Sequence, residues 1–507
     1  MSALVGLDIG TGGARALAVN DSGETLADAS AQYPLSSPRP GWSEQDPEDW
    51  WRAAREVLGK VTEEVRRSGE GQVAGLGLTG QMHGSVFLDA GDEVIRPALL
   101  WNDQRTEEQC REISEKVGEE RLVEIAGNPA ITGFQAPKVL WLRDEEPENY
   151  SRVAHILLPK DYVRLRLTGE YATDASDASG TLLLDMMVRN WSAEILDALE
   201  IPHRWMPRVY EGSESTGILI ENVAEELNLP AGIPVAAGGG DNAAAAVGTG
   251  IVEEGLTSSS VGTSGVLFAH TDGFRPDPSG RMHAFCHAVP EAYHLMGVAL
   301  SAGGSLSWWR SVLGKDFDEL TAAASRVPTG AEGLLFLPYL TGERTPHLDP
   351  AARGAFVGLT SRHSAAHMTL AVMEGVIFSM RDSLEIMREL GVPIEEVRVT
   401  GGGARSALWR ELQANIYGIP IRRTLADEGA AYGAALLGGV AAAGIYRDLG
   451  EACSVVRLRD EVTEPHPQRV EIYEEYYEVY RSLYAHQKDA MHRLTRLVST
   501  GKEPFIK

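Results

Sequence analysis

Two short glycine-rich turns contain the residue types that bind phosphate. The first comprises Gly10, Thr11, Gly12 and Gly13, and it separates the apolar segment VGLDI from ARALAVND, so it should join two strands as a hairpin. Glycines leave backbone N–H groups unobstructed, and successive free N–H groups form a concavity that suits phosphate oxygens. Asp8 lies beside this turn, where its charge would repel a phosphate unless a cation stood between them. The pattern therefore favours Mg²⁺, held through water.

The second turn comprises Gly262, Thr263, Ser264 and Gly265 within SSSVGTSGVLFAH, and it lacks the neighbouring carboxylate. If the two halves of the chain face each other across a cleft, the two turns would hold one polyphosphate between them. The cation would then sit on the Asp8 side. Taken alone, the first turn is more typical of a hairpin that only reverses the chain direction.

The segment GGGDN places a carboxylate, Asp241, at the end of a predicted strand, where α/β proteins commonly have their binding sites. Phosphoryl transfer to an alcohol needs an unpaired carboxylate within hydrogen-bond reach of the hydroxyl, and Asp241 is our candidate for this base. Asn242 would hold a neighbouring hydroxyl. The alternative is that Asp241 caps the following alanine-rich helix.

Two further segments have the composition of ligand-binding loops. QMHG follows the buried strand VAGLGLTG and offers Met82 as an apolar floor and His83 as a hydrogen-bond donor for a sugar; a hydrogen-bonded or surface histidine is the alternative. VTGGGARS ends a strand and opens a helix, so its glycines would let the backbone lie flat against an adenine or a ribose. A tight strand-to-helix turn is the alternative there. The sequence has no GxxxxGK[ST] segment, which excludes a P-loop protein.

The elements that must position these residues alternate between strands and helices, which predicts an α/β fold with largely buried sheets. Strand, glycine turn and helix occur in the same order in both halves, with a boundary near residues 245–255, which suggests duplication of one unit. From Arg469 onward, tyrosines and leucines recur every three to four residues and predict one long helix packed on the body. A protein-binding helix is the alternative.

Composition narrows the class of protein. A length of 507 residues favours two large domains. The net charge of -26 argues against nucleic acid and anionic membranes as partners, because a phosphate polymer would be repelled. Three distant cysteines without metal spacing and the absence of a secretory leader predict a cytoplasmic protein with reduced thiols.

Taken in order, the motifs LDIGTGG, GQMHG, LLWNDQR, GGGDNAAAAVG, SVGTSG and TGGGARS make this sequence similar to the FGGY carbohydrate kinases, over about Leu4 to Gly444. Within that family it most resembles the bacterial xylulokinase branch. The resemblance implies two actin-like, ribonuclease-H-like domains with a cleft between them, closing around ATP, Mg²⁺ and a ketose. It also implies transfer of the γ-phosphate to a terminal hydroxyl, and by family a homodimer.

The resemblance also assigns roles to residues. The family's catalytic base falls on Asp241 and its metal-associated aspartate on Asp8. Its sugar contacts fall on Met82, His83 and Asn242. The implied ATP contacts are Thr11, Gly12, Gly13, Gly262, Thr263, Ser264, Gly402 and Gly403, with Ser406 as a looser match. One departure is GTGGAR in the first turn, where these kinases commonly have Gly-Thr-Ser-Gly followed two residues on by Lys, so a side-chain role at Gly12 is lost.

Three domains are therefore predicted: 1–248 for sugar binding and the first phosphate hairpin, 249–450 for nucleotide binding, and 451–507 as a helical extension packed on the body. D-xylulose is the acceptor that the resemblance favours, with D-xylulose 5-phosphate as the product. L-xylulose, ribulose and glycerol are alternative acceptors that spacing cannot rank. An actin-like switching ATPase without a sugar substrate is the alternative from another class.

Overall fold

The computed structural model describes residues 2–69, 71–425 and 429–499. These residues form two compact units. Of the described residues, the first unit comprises those within 2–253, 270–294 and 429–457, and the second comprises those within 254–269, 295–425 and 458–499. Both units combine strands with helices, so the predicted α/β class is confirmed.

The strands of the first half of the chain are β1 (Ser2–Ile9), β2 (Gly13–Asn20), β3 (Thr25–Gln32), β4 (Glu44–Gln45), β5 (Gln72–Gly80), β6 (Val86–Leu88), β7 (Ala98–Leu99), β8 (His155–Leu157), β9 (Ala172–Asp174), β10 (Leu184–Asp185), β11 (Asn190–Trp191), β12 (Arg208–Tyr210), β13 (Ser215–Ile218), β14 (Pro234–Ala236) and β15 (Gly239–Gly240). The helices of this half are α1 (Pro47–Ser68), α2 (Glu107–Val117), α3 (Glu119–Ala126), α4 (Gln135–Glu145), α5 (Pro147–Tyr150), α6 (Pro159–Thr168), α7 (Ala175–Ser179), α8 (Ala193–Ala198), α9 (Glu221–Leu227) and α10 (Asp241–Gly248).

The strands of the second half are β16 (Gly255–Val261), β17 (Gly265–Thr271), β18 (His283–Cys286), β19 (Tyr293–Ala299), β20 (Leu335–Leu337), β21 (Ala355–Val357), β22 (Ile394–Thr400), β23 (Ile421–Thr424) and β24 (Leu458–Thr463). The helices are α11 (Gly303–Leu313), α12 (Phe317–Ala324), α13 (Ala365–Glu389), α14 (Ala407–Tyr417), α15 (Gly429–Ala441), α16 (Leu449–Cys453) and α17 (Pro467–Ser499). Short 3₁₀ turns lie at His203–Trp205 and Gly402–Arg405.

The sheet of the first unit has the order β13-β14-β5-β1-β2-β3, and β15 pairs with β5. Strand β1 is antiparallel to β2, as the predicted hairpin requires, and parallel to β5. Helix α1 packs on β2 and β3 through an apolar face that includes Trp50 and Val57, and Asp46 caps it by accepting the Glu48 N–H at 3.0 Å. The carboxyl ends of β1, β5 and β15 therefore come together at one edge of a well-packed sheet.

The second seven-stranded sheet has the order β18-β19-β17-β16-β22-β23-β24. Strands β16 and β17 form the second predicted hairpin, and β16 is parallel to β22. Hence β16 and β22 also end at the same edge, and their following turns lie side by side there.

The terminal helix forms as predicted. It is a single element, α17, and Tyr473, Tyr477 and Tyr480 on it are buried. The end of the predicted extension, beyond Ser499, lies outside the described residues. None of the helices in the described ranges is long and apolar enough to span a membrane.

Candidate active site

The first unit brings Asp8 and Asp241 to the same edge of its sheet. The strand register pairs Asp8 with Thr79 on β5, and Thr79 with Gly239 on β15. Two residues after Gly239, helix α10 begins at Asp241. Because parallel strands present their carboxyl ends at one edge, the two carboxylates converge although 233 positions separate them in the sequence.

Asp8 has the character of a buried and incompletely satisfied acid. Its Oδ1 atom is buried and accepts no hydrogen bond from any described residue. Burial, followed by the negative charge of Asp241, raises the pKa of Asp8 to about 7, and Arg15 opposes this shift. A buried carboxylate oxygen without a hydrogen-bond donor can accept a hydrogen bond from the water shell of a cation. This property fits the water-mediated Mg²⁺ site predicted beside Asp8. The described residues contain no cluster of three or more metal-ligating side chains, so a cation would depend on water and phosphate for most of its ligands.

Asp241 does not act as the cap of helix α10. Gly240 occupies the N-cap position and Asp241 is the first helical residue, so the capping alternative is wrong. The Oδ1 atom of Asp241 accepts the Asn242 backbone N–H at 2.7 Å and the Asn242 Nδ2–H at 2.8 Å. Burial raises the pKa of Asp241 to about 6, against the lowering effect of these two bonds. A carboxylate in this range is ionised at pH 7 and remains basic enough to take a proton.

Met82 packs on the residue before Asp241, and His83 follows Met82 in the chain. Met82 is buried and packs on Gly240, where a Cβ atom would come within 2.8 Å of its Sδ. His83 adopts a left-handed backbone conformation, with φ of 69°, and its Nδ1 lies 2.6 Å from the Gly180 carbonyl oxygen. In the neutral ring, the Nδ1–H group donates to this carbonyl and Nε2 is left as an acceptor, rather than the hydrogen-bond donor that the sequence predicted. The structure thus brings together four of the residues that the sequence singled out: Met82, His83, Asp241 and Asn242.

In the first hairpin, side chains brace the turn. The Thr11 hydroxyl donates to Gln81 Oε1 at 3.2 Å and accepts from Trp101 Nε1 at 2.9 Å. Gln45 Nε2 donates to the Thr11 carbonyl at 2.7 Å. The hydroxyl is therefore already engaged, and the backbone N–H groups are the atoms of this turn best placed to meet a phosphate.

The second unit contains a cavity of about 540 Å³ beside its hairpin. Its lining comprises Val261, Gly262, Thr263, Gly303, Leu306, Ser307, Phe317, Asp318, Thr321, Gly402, Gly403, Arg405, Ser406 and Trp409. Glycine backbone from two turns forms one part of this wall and apolar and aromatic side chains form another. Such a combination suits a nucleotide, because bare backbone N–H groups can meet phosphates while apolar surface packs on the base.

Five of the residues predicted for ATP contacts line this cavity: Gly262, Thr263, Gly402, Gly403 and Ser406. Ser264 is exposed at the tip of the same hairpin, and its carbonyl accepts the Gly262 N–H at 3.0 Å. Ser406 precedes helix α14 without capping it through its side chain. Thr11, Gly12 and Gly13 lie in the first unit, in the turn described above.

Comparison with known families assigns the chain. The N-terminal domain of the FGGY family of carbohydrate kinases matches residues 3–248, and the C-terminal domain of that family matches residues 257–442. The chain belongs to the FGGY family of carbohydrate kinases. The predicted family and enzyme class are therefore confirmed.

Relatives of this FGGY kinase match over nearly the whole chain. It is 42% identical over 482 residues to the xylulose kinase of Escherichia coli (strain K12), covering 95% of this chain and 98% of that protein. It is 39% identical over 505 residues to the xylulose kinase of Lactococcus lactis subsp. lactis (strain IL1403), covering 99% and 100%. The crystal structure of a xylulose kinase from Brucella ovis superposes with a TM-score of 0.91 at 40% identity, covering 97% of this chain and 100% of that one. These neighbours confirm the predicted actin-like, ribonuclease-H-like fold class.

Several residues around the site escaped the sequence analysis. Gln45, Gln81 and Trp101 brace the first hairpin. Lys138 donates to the His83 carbonyl at 2.8 Å from a fully buried position. None of these contacts follows a local pattern, since each joins residues at least 34 positions apart. The one available signal was the polar residue types that flank the motifs, such as the glutamine of GQMHG.

Proposed function

We propose that this FGGY kinase transfers the γ-phosphate of ATP to the terminal hydroxyl of D-xylulose and releases D-xylulose 5-phosphate and ADP. The observation that carries the choice of sugar is the near full-length similarity to xylulose kinases. The position of Asp241 supports the chemistry, because its carboxylate is ionised at neutral pH, bonds to Asn242 and follows a glycine on which Met82 packs.

In this proposal Asp241 is the general base. Its carboxylate takes the proton of the 5-hydroxyl as that oxygen attacks the γ-phosphorus, and the P–O bond to ADP breaks in the same transfer. Asn242 holds a neighbouring hydroxyl and also fixes the carboxylate through the two bonds to Oδ1. Met82 provides the apolar floor of the acceptor site, and His83 offers its ring to another hydroxyl.

ATP is proposed to bind the cavity of the second unit, with its phosphates at the hairpin of Gly262 to Gly265 and its base near Gly402 and Gly403. The hairpin of Thr11, Gly12 and Gly13 is proposed as the second phosphate contact. Asp8 would hold Mg²⁺ through water. When bound, the cation neutralises charge that develops on the β- and γ-phosphates.

We also retain, as proposals, the boundaries 1–248, 249–450 and 451–507 with their roles, a cytoplasmic location and a homodimer. Closure of the enzyme around its substrates would exclude water, which otherwise competes with the sugar as acceptor.

The test measures ADP release from Mg-ATP with D-xylulose, L-xylulose, D-ribulose, glycerol or no sugar. We expect strong stimulation by D-xylulose. Stronger stimulation by another acceptor would identify that acceptor, instead of D-xylulose, as the substrate. ADP release that none of the acceptors changes would indicate a switching ATPase. Asp241→Ala should lower the turnover number by on the order of 10²–10⁴ while ATP still binds.

A matched control is Asp448→Ala. Asp448 caps helix α16 by accepting the Glu451 N–H at 2.9 Å, so this variant also removes a carboxylate from the start of a helix. Helix α16 packs at the other end of α10, where Cys453 Sγ lies 3.5 Å from the Val247 carbonyl. Turnover should survive in this control. Near-normal turnover in Asp241→Ala would exclude Asp241 as the base.

A further inference from the structure

Helix α7, which spans only Ala175–Ser179, contacts both segments of the proposed acceptor site. Near its beginning, the Ser176 Oγ accepts the backbone N–H of Gly240 at 3.1 Å, immediately before Asp241. Just after its end, the Gly180 carbonyl lies 2.6 Å from His83 Nδ1. This single turn of helix thus joins the segment of the base to the segment of the sugar-contacting histidine.

Helix α7 is itself fixed by Asp174, which caps it. The Asp174 Oδ2 atom accepts the backbone N–H of Ser176 at 2.8 Å and that of Asp177 at 3.2 Å, and it also accepts the Ser176 hydroxyl proton. Because the Ser176 hydroxyl donates its hydrogen bond to Asp174, the lone pairs of its oxygen are left to accept the Gly240 N–H. The serine hydroxyl therefore acts as a directed link between the cap and the Gly240 backbone.

Asp174 is anchored in turn by a fully buried lysine. The Lys160 ammonium forms ion pairs with Asp174 Oδ1 at 2.8 Å, with Asp161 Oδ1 at 2.7 Å and with Asp177 Oδ2 at 3.2 Å. All four side chains have no solvent exposure. Burial lowers the pKa of Lys160, but the carboxylates around the ammonium outweigh burial and raise that pKa above its usual range.

A second buried cation of this cluster, Arg164, holds the end of strand β14, from which the chain continues to Gly240. Arg164 shares Asp161 with Lys160, and its guanidinium donates to the Ala236 carbonyl at 2.8 Å and also to the Ala237 carbonyl. The cluster therefore holds residues 236–240 at both ends. A buried ion cluster is poor evidence for added stability, because desolvation of the charges offsets their attraction. Its hydrogen bonds converge on one short segment, which suggests geometric control of that segment.

We propose that Ser176 is a positioning residue for the transfer reaction: through Asp174 and Lys160 it fixes the backbone of Gly240 and so sets the direction of the Asp241 carboxylate. This inference rests on the proposed role of Asp241 as the base. It assigns a task to the buried charges of Lys160, Asp161 and Arg164.

The test compares Ser176→Ala with Ser179→Ala. Both serines are buried on α7, and the Ser179 hydroxyl also makes two bonds, donating to the Ser176 carbonyl at 2.6 Å and accepting the Cys286 N–H at 3.2 Å. Ser179 makes no bond to Gly240 among the described residues. The measurements are kcat/KM for D-xylulose across pH 5–8.5, the KM for ATP, and Tm.

We expect Ser176→Ala to lower kcat/KM for D-xylulose by on the order of tenfold to a hundredfold, because small displacements of a reacting group have effects of that size. The acid limb of its pH profile should shift, while the KM for ATP stays within about twofold of the wild-type value. Ser179→Ala should show a similar fall in Tm with an unchanged pH profile. Equal kcat/KM values and equal pH limbs in the two variants would overturn the proposal.

Two further measurements keep the result interpretable. If Ser176→Ala does not fold, Ser176→Cys retains the side-chain volume and weakens the same hydrogen bond. Amide hydrogen exchange at Gly240 should become faster in either Ser176 variant whatever the substrate, and unchanged exchange would also overturn the proposal. Failure of the proposed function has a different signature, since Asp241→Ala would then keep its turnover.

Discussion

The two glycine hairpins share a backbone plan, but different groups hold them in place. In the first hairpin, side chains from β4, from the loop after β5 and from the loop after β7 bond to Thr11. In the second, the backbone N–H groups of Ala302 and Gly304 donate to the Thr263 carbonyl at 2.9 and 3.0 Å, and that of Gly303 donates to the Gly262 carbonyl at 2.8 Å. The side chains that bond to Thr11 thus hold the hairpin that follows Asp8. The second hairpin is held by backbone bonds, and its residues Gly262 and Thr263 line a cavity.

The buried acids of the two units differ in a parallel way. In the first unit, Asp8 lacks a hydrogen-bond donor on Oδ1 among the described residues and lies next to another carboxylate. In the second unit, the carboxyl groups of Glu374 and Asp382 on α13 accept hydrogen bonds from the hydroxyls of Tyr473 and Tyr477 on α17. Both oxygen–oxygen distances are below 2.9 Å. Glu374 also keeps one buried oxygen, Oε2, that accepts no hydrogen bond among the described residues. The difference between the two sets of acids is therefore that Asp8 lies near a second carboxylate, whereas Glu374 and Asp382 lie against the tyrosines of α17.

The largest expected effect follows from removing the charge of Asp8. Asp8→Asn preserves the shape of the side chain but cannot hold a hydrated cation, so kcat should fall by on the order of 10²-fold or more. ATP affinity of the second unit, measured by calorimetry, should change little. Asp28→Asn is the control for the loss of a carboxylate from the same sheet. Asp28 is exposed and pairs at 2.7 Å with Arg15, the residue opposite Asp8 in the strand register. Full activity of Asp8→Asn would remove the distinction between the two hairpins.

The wild-type pH profile sharpens the same comparison. The pKa values of Asp8 and Asp241 are raised to about 7 and about 6, so each group is protonated below its value and charged above it. Activity should therefore rise with pH through the window of about 6 to 7, with a limb that belongs to the interacting pair. Asp8→Asn should alter this limb, whereas the Asp448→Ala control should not. A wild-type rate that is flat from pH 5 to 8 would contradict both assignments.

A smaller effect is expected from Gly303→Ala. A Cβ atom at Gly303 would lie 2.5 Å from the Gly262 carbonyl oxygen, so the hairpin would have to move, at a cost of about 1–3 kcal/mol. Both Tm and ATP affinity should fall, the affinity by about tenfold. The matched variant is Gly12→Ala, since a Cβ atom there has no neighbour within 4 Å. Gly12→Ala should leave Tm unchanged. If its turnover nevertheless falls, the loss would come from a disturbed contact between this turn and a phosphate and not from a change in folding.

The sequence predicted the parts of this site that depend on local chemistry. Apolar runs ending in glycine identified β1, β5 and both hairpins, and the residue types identified Asp8 and Asp241. It could not predict that Gly240, rather than Asp241, would take the cap position, because that depends on where β15 pairs with β5. Nor could it predict the bond between Ser176 and Gly240, which joins residues 64 positions apart and exists only after the sheet has formed.

The smallest expected effect on activity comes from a variant that changes stability, and it tests whether the acids of the second unit serve structure alone. Burial raises the pKa of Glu374 from 4.5 to about 8, so the folded protein keeps a proton that the unfolded chain loses. The free energy of unfolding should therefore decrease as pH rises from about 4.5 to about 8, and level off above that. Glu374→Gln cannot ionise, yet its amide oxygen can still accept from the Tyr473 hydroxyl and from the Gly330 N–H, which lie at 2.8 Å in the wild type.

Glu374→Gln should consequently match the wild-type Tm at pH 5 and exceed it at pH 8.5, by on the order of a few kcal/mol in unfolding free energy. Glu385→Gln on the same helix is the control. Glu385 is partly exposed and pairs with Arg381 and Arg388, so this variant removes a carboxylate from the same helix without removing a buried acid. The kcat of Glu374→Gln should equal that of the wild type. If kcat fell instead, the acids beneath α17 would take part in catalysis, and the contrast between the two units would fail.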